Sequence, residues 1–148
     1  MRLSAKGRYA LASTIHMAQH YNKDEYITLI SISEKLDISK IYLEQVFSLL
    51  KRGGVVISIK GSQGGYQLAD IPEKITVYDI LSSVETTLFE STEETIGEQA
   101  PEIEAAVKSV VYDPLDEAVK ELLSNISLAD LVAEVNKLKG ESAYMYFI

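Results

Sequence analysis

The order of the elements predicted for the first half of the chain is what most constrains its fold. Apolar residues recur at helical spacing over residues 2–21, and shorter helical patterns begin after Thr28 and after Ser39, two residues well suited to cap a helix. Asp37-Ile38 lies between those two patterns as a tight turn. Gly53-Gly54 ends the third helix, because glycine adopts the left-handed end conformation there without steric cost.

A β-hairpin is predicted directly after the third helix. Residues 55–59 are rich in β-branched side chains, residues 61–65 form a glycine-rich turn, and residues 66–68 form the returning strand. The turn does not fit a phosphate-binding loop, since such a loop needs Gly-Lys-Ser/Thr at the start of a helix and this turn leads back into a strand. The order helix, helix, turn, helix, hairpin predicts a winged helix-turn-helix.

The third predicted helix, from Ser39 to Arg52, is the one that a winged helix-turn-helix places in the major groove of DNA. Its inward stripe is apolar. Its outward face carries side chains suited to phosphate and base-edge contacts, namely Ser39, Lys40, Tyr42, Glu44, Gln45, Ser48 and Lys51. An ordinary solvated helix face would carry the same residue types, so that alternative stays open for each single residue.

The second half of the chain is predicted to be helical apart from one acidic loop. Thr76 and Asp79 have the spacing of a capping box that begins a fourth helix. Residues 85–104 carry seven acidic and no basic residues, and we expect them to be poorly ordered by themselves. A helix follows to about Ser124, and Asp113-Pro114 leaves open whether it kinks or a new helix starts.

The end of the chain is predicted to form one more helix and a tail. Ser127 and Asp130 have the spacing to cap that helix. Gly140 is interpreted as the mobile start of the tail. The tail closes with an aromatic and apolar run, Tyr144, Met145, Tyr146, Phe147 and Ile148.

Charge is divided unevenly between the two halves. Residues 1–75 hold ten Lys or Arg and seven Asp or Glu, a net charge of +3, and residues 76–148 hold four and fifteen, a net charge of −11, which together give the −8 of the whole chain. A basic first half is attracted to phosphate and an acidic second half is repelled by it. A net of +3 over 75 residues is also ordinary scatter, so the division permits nucleic-acid binding without requiring it.

Several classes of function are disfavoured by composition. The chain has no cysteine, which excludes disulfides, thiolate nucleophiles and thiolate-ligated metal clusters. No run of 18 or more apolar residues is present and the N-terminus does not fit a signal peptide, so we expect a cytoplasmic protein. His16 and His20 are one helical turn apart but have no third ligand nearby, and we expect no metal site. No nucleophile–base pair or cofactor loop points to an enzyme.

Three motifs resemble the Rrf2-type family of winged-helix transcription regulators. They are Leu3-Ser4-Ala5-Lys6-Gly7-Arg8-Tyr9-Ala10, Tyr42-Leu43-Glu44-Gln45, and Gly61 with Gly64-Gly65-Tyr66-Gln67-Leu68. A weaker match, Ser127-Leu128-Ala129-Asp130-Leu131, lies near the end of the chain. The resemblance implies a repressor that binds double-stranded DNA as a homodimer, at a pseudo-palindromic operator.

The resemblance also implies which residues touch DNA and how the chain is divided. It adds Ser4, Lys6, Arg8 and Tyr9 from the first helix, and Lys60, Gly64, Gly65 and Tyr66 from the wing. Lys60 stands where arginine is common, and lysine keeps the charge but loses the planar fork. The expected parts are a DNA-binding domain at 1–85, an acidic loop at 86–100, and a long dimerisation helix, last helix and tail at 101–148.

The interval at 85–101 lacks the three cysteines that hold an iron–sulfur cluster in some members of the family. We therefore expect no cofactor, since serine and carboxylate are poor substitutes for thiolate. The tail resembles that of the cysteine-free repressors of cysteine metabolism in the family. This implies cysteine synthase as a partner, with Ile148 and the terminal carboxylate as anchors. The alternatives are a tail packed on the dimer core, and a regulatory subunit that acts on an enzyme instead of on DNA.

Overall fold

A computed structural model describes residues 2–61 and 64–146, without the side chain of Tyr146. Within these ranges the chain forms seven α-helices and one antiparallel hairpin. The helices are α1 (Ala5–Gln19), α2 (Leu29–Leu36), α3 (Lys40–Arg52), α4 (Val77–Val84), α5 (Pro101–Val107), α6 (Asp113–Ser124) and α7 (Leu128–Tyr146), and the strands are β1 (Val56–Ile59) and β2 (Gly65–Leu68).

The predicted helix caps are confirmed. The hydroxyls of Thr28 and Ser39 accept hydrogen bonds from the backbone N–H groups of Ser31 and Tyr42. Asp37, at the turn between α2 and α3, has the left-handed backbone conformation, with φ of 53°. At the end of α3 the left-handed residue is Gly54, with φ of 78°, while Gly53 stays in the right-handed region. Local side-chain chemistry therefore fixes where these helices begin and end.

The hairpin is the predicted wing, and it is attached to the helices by a third extended segment. β1 and β2 pair in the register Val56 with Leu68 and Ile59 with Gly65. Ile27 forms an isolated bridge to Tyr66, with N–H···O distances of 2.9 and 2.8 Å. The short extended segment expected around Ile27 thus exists, and it anchors the wing to the loop before α2.

The core is formed mainly by α1, α3 and α4, and it extends beyond the expected boundary at residue 85. Phe47, Ile32 and Ile80 are completely buried, and so is Leu128 at the start of α7. The backbone N–H of Leu128 donates to the carbonyl of Ile75. The first turn of α7 therefore packs into the winged-helix core, where its apolar residues contact α1.

Residues 101–124 are helical throughout, so no loop separates the helices on the two sides of Asp113-Pro114. A π-helical turn, Lys108–Tyr112, joins α5 to α6. Pro114 has no N–H to donate to the carbonyl four residues earlier, and a π-turn lets the chain pass the proline without breaking the helix. The turn also brings Lys108 Nζ to 2.9 Å from Asp113 Oδ1.

The expectation of a mobile tail that starts at Gly140 is wrong. α7 continues through Gly140 as far as Tyr146. A single glycine costs a helix about 1 kcal/mol, which the helix-forming neighbours Lys137, Leu138, Lys139 and Glu141 offset. None of the helices in the described ranges is long and apolar enough to cross a membrane.

Candidate DNA-binding surface

The start of α1 lies against the start of α3. The rings of Tyr9 and Tyr42 meet edge to face, with centroids 5.2 Å apart and planes at 88°. Ser39, Ile41 and Gln45 line a groove together with these two tyrosines. Two segments some 30 residues apart in sequence thus form one surface, as the resemblance implied, and the tyrosine pair fixes their relative position.

The outward face of α3 is exposed to solvent. Lys40, Glu44 and Gln45 are all exposed, and Lys40 Nζ lies 3.8 Å from Glu44 Oε1. This pair is one helical turn apart and half exposed, so it is weak and free to exchange for other partners. Tyr42 is half-buried against Tyr9, so its ring serves packing between the helices. Ile41, which no sequence motif singled out, is 71% exposed on this face.

The wing lies next to the start of α3. Lys40, Gly64, Gly65 and Tyr66 line a second groove, together with the first residues of α2. Gly64 is exposed and has φ of 57°, whereas Gly65 is partly buried. A Cβ atom at Gly65 would lie 2.9 Å from Cβ of Tyr26, so this glycine is needed for close approach within the chain.

The side chains of Tyr66 and Lys60, both in the wing, differ in their burial. The ring of Tyr66 packs on Phe47, with centroids 4.9 Å apart, so it is a half-buried anchor of the wing. Lys60, at the end of β1, is exposed. The cation predicted on the wing is thus available to solvent, while the aromatic ring is committed to the core.

The polar groups of Ser4 are committed within the chain. Its hydroxyl accepts from the N–H of Gly7 as the cap of α1, and it donates to Glu85 Oε1 at 2.8 Å. The N–H of Ser4 donates to the same oxygen at 2.9 Å. Glu85 was not singled out from the sequence, because no local pattern reveals a contact across 81 positions. Of the two cations nearby, Lys6 is half-buried and Arg8 is exposed.

His16 and His20 are brought together without forming a metal site. Their rings are 4.9 Å apart in an edge-to-face arrangement. Burial, and to a lesser degree the neighbouring His20 and Lys35, lower the pKa of His16. Among the residues that the structure describes, no group of three or more His, Cys, Asp or Glu side chains could hold a metal ion.

Comparison with known proteins agrees with this geometry. Residues 3–134 match the family model Rrf2, described as an iron-dependent transcriptional regulator. The chain belongs to the Rrf2 family of transcriptional regulators.

Relatives and solved structures of the Rrf2 family cover nearly the whole chain. The HTH-type transcriptional regulator CymR of Bacillus subtilis (strain 168) is 35% identical, over 100% of both chains. The regulator IscR of Erwinia tasmaniensis is 36% identical over 89% of this chain and 79% of its own. The structure of CymR, the global cysteine regulator of B. subtilis, has a TM-score of 0.71 at 34% identity, over 90% of this chain and 98% of that one.

The structure of T. potens IscR is also similar, with a TM-score of 0.72 at 31% identity, over 99% of this chain and 96% of that one. The winged-helix fold predicted from the sequence is therefore confirmed. The chain is an Rrf2-type transcriptional regulator built from α-helices and a two-stranded wing.

The donor set does not fit a thiolate-ligated iron–sulfur cluster. The interval at 85–101 offers carboxylates and hydroxyls but no thiolate, because the chain has no cysteine. The carboxylate of Glu104 in α5 is buried and accepts from the N–H groups of Thr95 and Ile96, at 3.4 and 3.3 Å. In this Rrf2 protein that carboxylate organises the acidic loop.

The predicted partner-binding tail lies at the end of α7. Tyr144 and Met145 are 71% and 75% exposed. Tyr146 is the last residue of α7 that the structure describes. Phe147 and Ile148, with the side chain of Tyr146, lie outside the described residues.

Proposed function

We propose that this Rrf2 protein is a homodimeric, cytoplasmic repressor that binds a pseudo-palindromic operator and is not an enzyme. Each protomer inserts α3 into the major groove, while the start of α1 and the wing contact the flanking backbone. The residues with exposed or partly exposed groups for contact with DNA are Lys6, Arg8, Tyr9, Ser39, Lys40, Glu44, Gln45, Lys60 and Gly64. Ser4, Tyr42, Gly65 and Tyr66 hold the contacting segments in position. No iron–sulfur cluster takes part.

The continuity of the surface carries this proposal. One groove joins Tyr9 of α1 to Tyr42 and Gln45 of α3, and a second groove joins Lys40 of α3 to Gly64 of the wing. Because Lys40 lies between Ser39 and Ile41 in the sequence, the three segments proposed to contact DNA meet around the start of α3 and form one face. We call this face the recognition surface. The first half of the chain, which forms it, has a net charge of +3 against −11 for the second half, so duplex DNA is favoured on this side.

A row of exposed apolar residues supports the dimer. Ile103, Val110, Val111, Leu115 and Leu122 are 49–73% exposed along the continuous helix from Pro101 to Ser124. Their spacing keeps them close to one side of the helix, and monomeric proteins rarely leave such a row in water. A second copy of the chain would cover this apolar row and set two recognition surfaces about a two-fold axis.

The proposal is tested by selecting bound duplexes from genomic and random DNA and measuring their affinity against salt. We expect an inverted repeat, and a linear fall of log K with log salt. Arg8→Ala and Lys60→Ala should each weaken binding and make that line less steep, by about one unit for each phosphate that the variant no longer neutralises. Lys139→Ala, an exposed lysine on α7, is the matched control and should change neither. Failure to enrich any duplex would exclude the repressor.

Glu44 is expected to read bases, since a carboxylate near DNA is costly unless it accepts from the amino group of cytosine. Glu44→Ala should therefore relax sequence preference more than it lowers affinity for the preferred operator. An equal loss of affinity for all sequences would assign Glu44 a different role.

We further propose that the regulated genes serve cysteine and sulfur metabolism. Similarity to CymR over its full length supports this assignment. Mapping the bound genomic sites tests it directly. Sites confined to genes unrelated to sulfur would remove this part of the proposal and leave the repressor intact.

A second candidate function is binding of cysteine synthase through the segment at 144–148. Tyr144 and Met145 support it, because they are exposed apolar side chains in the last described turn of α7. The partner's active site would hold the side chain of Ile148 in an apolar pocket. The substrate O-acetylserine would compete for that site.

Deleting Phe147 and Ile148 separates a binding tail from a packed one. A binding tail predicts that the truncated protein keeps its melting temperature and its dimer but gives no heat of binding with the synthase. A tail packed on the dimer predicts a melting temperature several degrees lower, because removing two buried apolar side chains costs about 3–6 kcal/mol. An intact protein that shows no binding sensitive to O-acetylserine would exclude this partner.

A further inference from the structure

Ile41 is an apolar side chain displayed in the first turn of α3. It is 71% exposed, more than any other large apolar residue in the described part of the winged-helix half. Most other apolar residues of α3 turn inward, and Leu43, Val46, Phe47 and Leu50 are completely buried. The position is thus not needed for the core, and an isoleucine there remains in contact with water.

The neighbours of Ile41 are the polar side chains of the recognition surface. Glu44 and Gln45 follow it by three and four residues, which places all three on adjacent positions of the same helix face. Ile41 and Gln45 also line the groove that reaches Tyr9. An apolar group surrounded by hydrogen-bonding groups on a major-groove helix suits a base edge that is itself partly apolar.

The base edge with that character is thymine. In the major groove thymine alone among the four bases carries a 5-methyl group, next to the O4 acceptor. Cytosine offers a C–H at the same position and an amino donor beside it. A β-branched side chain such as isoleucine has few rotamers to lose when it packs on such a methyl group.

We propose that Ile41 reads the 5-methyl group of one thymine in each half-site of the operator, and so selects thymine over cytosine there. This rests on the proposed DNA-binding function and adds a specificity-determining contact to it. Glu44 and Gln45 read hydrogen-bonding edges beside it, whereas Ile41 reads shape and apolar surface. The contact is independent of charge, so it should persist at salt concentrations that weaken the phosphate contacts.

Replacing thymine by deoxyuridine in the selected operator tests the contact, because only the methyl group is removed. We expect one thymine position of the half-site to be sensitive. Replacing it in one half-site should lower the affinity of the wild-type protein about fourfold, and replacing it in both half-sites about sixteenfold. Ile41→Ala should bind the thymine operator about as weakly as the wild-type protein binds the uracil operator. That variant should also be insensitive to the replacement, since the group that senses the methyl is gone.

Ile71→Ala is the matched control, because Ile71 is exposed but lines neither groove of the recognition surface. It should retain the full sensitivity to uracil. Thermal unfolding of Ile41→Ala should match the wild type, since an exposed side chain adds little to the core. If no thymine is sensitive, or if Ile41→Ala keeps the sensitivity, the contact is excluded while operator binding stands. If no duplex is selected, both proposals fall.

Discussion

Ser4 and Glu85 are joined by two hydrogen bonds, because both the N–H and the hydroxyl of Ser4 donate to Oε1 of Glu85, at 2.9 and 2.8 Å. The same carboxylate occupies the space where a Cβ atom of Gly7 would be. Glu85 is the C-terminal cap residue of α4 and precedes the acidic loop. The first turn of α1, which carries part of the recognition surface, is therefore held by the residue at which α4 ends.

Glu85→Ala is expected to lower the free energy of unfolding by about 1–2 kcal/mol. Hydrogen bonds to a charged group are stronger than neutral ones, although partial exposure reduces their contribution. Chemical denaturation measures the change. Glu90→Ala, an exposed acidic residue of the loop, should leave stability within about 0.5 kcal/mol of the wild type. Equal stability of the two variants would show that the Ser4 contact contributes nothing.

Gly65→Ala should displace the wing. The added Cβ would lie 2.9 Å from Cβ of Tyr26 and 3.3 Å from the carbonyl oxygen of Ile27. Moving either the wing or the segment at Tyr26 and Ile27 to relieve this contact would weaken the bridge between Ile27 and Tyr66. We expect a decrease of about 1–3 kcal/mol in unfolding free energy, together with weaker operator binding. Gly61→Ala is the control, because no atom within the described parts of the chain lies within 4 Å of its added Cβ. Hydrogen exchange at the N–H of Tyr66 would report whether the bridge has opened.

Leu115→Asp is expected to convert the dimer into monomers, because it places a charge in the row of exposed apolar residues on the continuous helix. Sedimentation velocity gives the oligomeric state. Ser109→Asp adds the same charge to the same helix beside that row and should leave the dimer in place. A wild-type protein that sediments as a monomer at micromolar concentration would contradict the proposed assembly.

The lowered pKa of His16 makes the free energy of unfolding decrease as the pH decreases. Burial, then His20 and Lys35, lower its pKa below the ordinary value of about 6.5. Below about pH 6.5 His16 binds a proton in the unfolded chain but stays neutral in the folded protein. The free energy of unfolding therefore falls as the pH drops towards the lowered pKa. His16→Gln should remove this part of the slope in denaturation measured between about pH 7.5 and 5.5. His20→Gln should keep most of it, because burial is the larger cause.

Gly140→Ala should stabilise α7 by about 1 kcal/mol, since no atom of the described residues lies within 4 Å of the added Cβ and alanine is the stronger helix former. The same change should weaken binding of cysteine synthase if the end of α7 must unwind to enter an active site. For the wild type and the alanine variant, thermal melting measures stability and calorimetry measures binding of the synthase. Tighter binding by the alanine variant would show that the helical form is the one recognised.

Local chemistry was sufficient to predict most of the elements and their order. Thr28, Ser39 and the Thr76–Asp79 pair are caps whose hydrogen bonds span three residues, so sequence spacing alone determines them. The hairpin followed from a β-branched run and a glycine-rich turn. The amphipathic stripe of α3 separated Leu43 and Phe47, which are buried, from Lys40 and Glu44, which are exposed.

Contacts between distant segments were decided only by the tertiary structure. The Ser4–Glu85 pair, the edge-to-face contact of Tyr9 with Tyr42 and the burial of Leu128 where α7 packs on α1 each join residues that share no periodic pattern. The same holds for Gly65, whose need for close approach depends on where Tyr26 comes to lie. The sequence by itself determined the first four helices and their inward faces, because those depend on neighbours within one turn. Which faces meet depends on packing among all of them at once, and that is settled only in the folded chain.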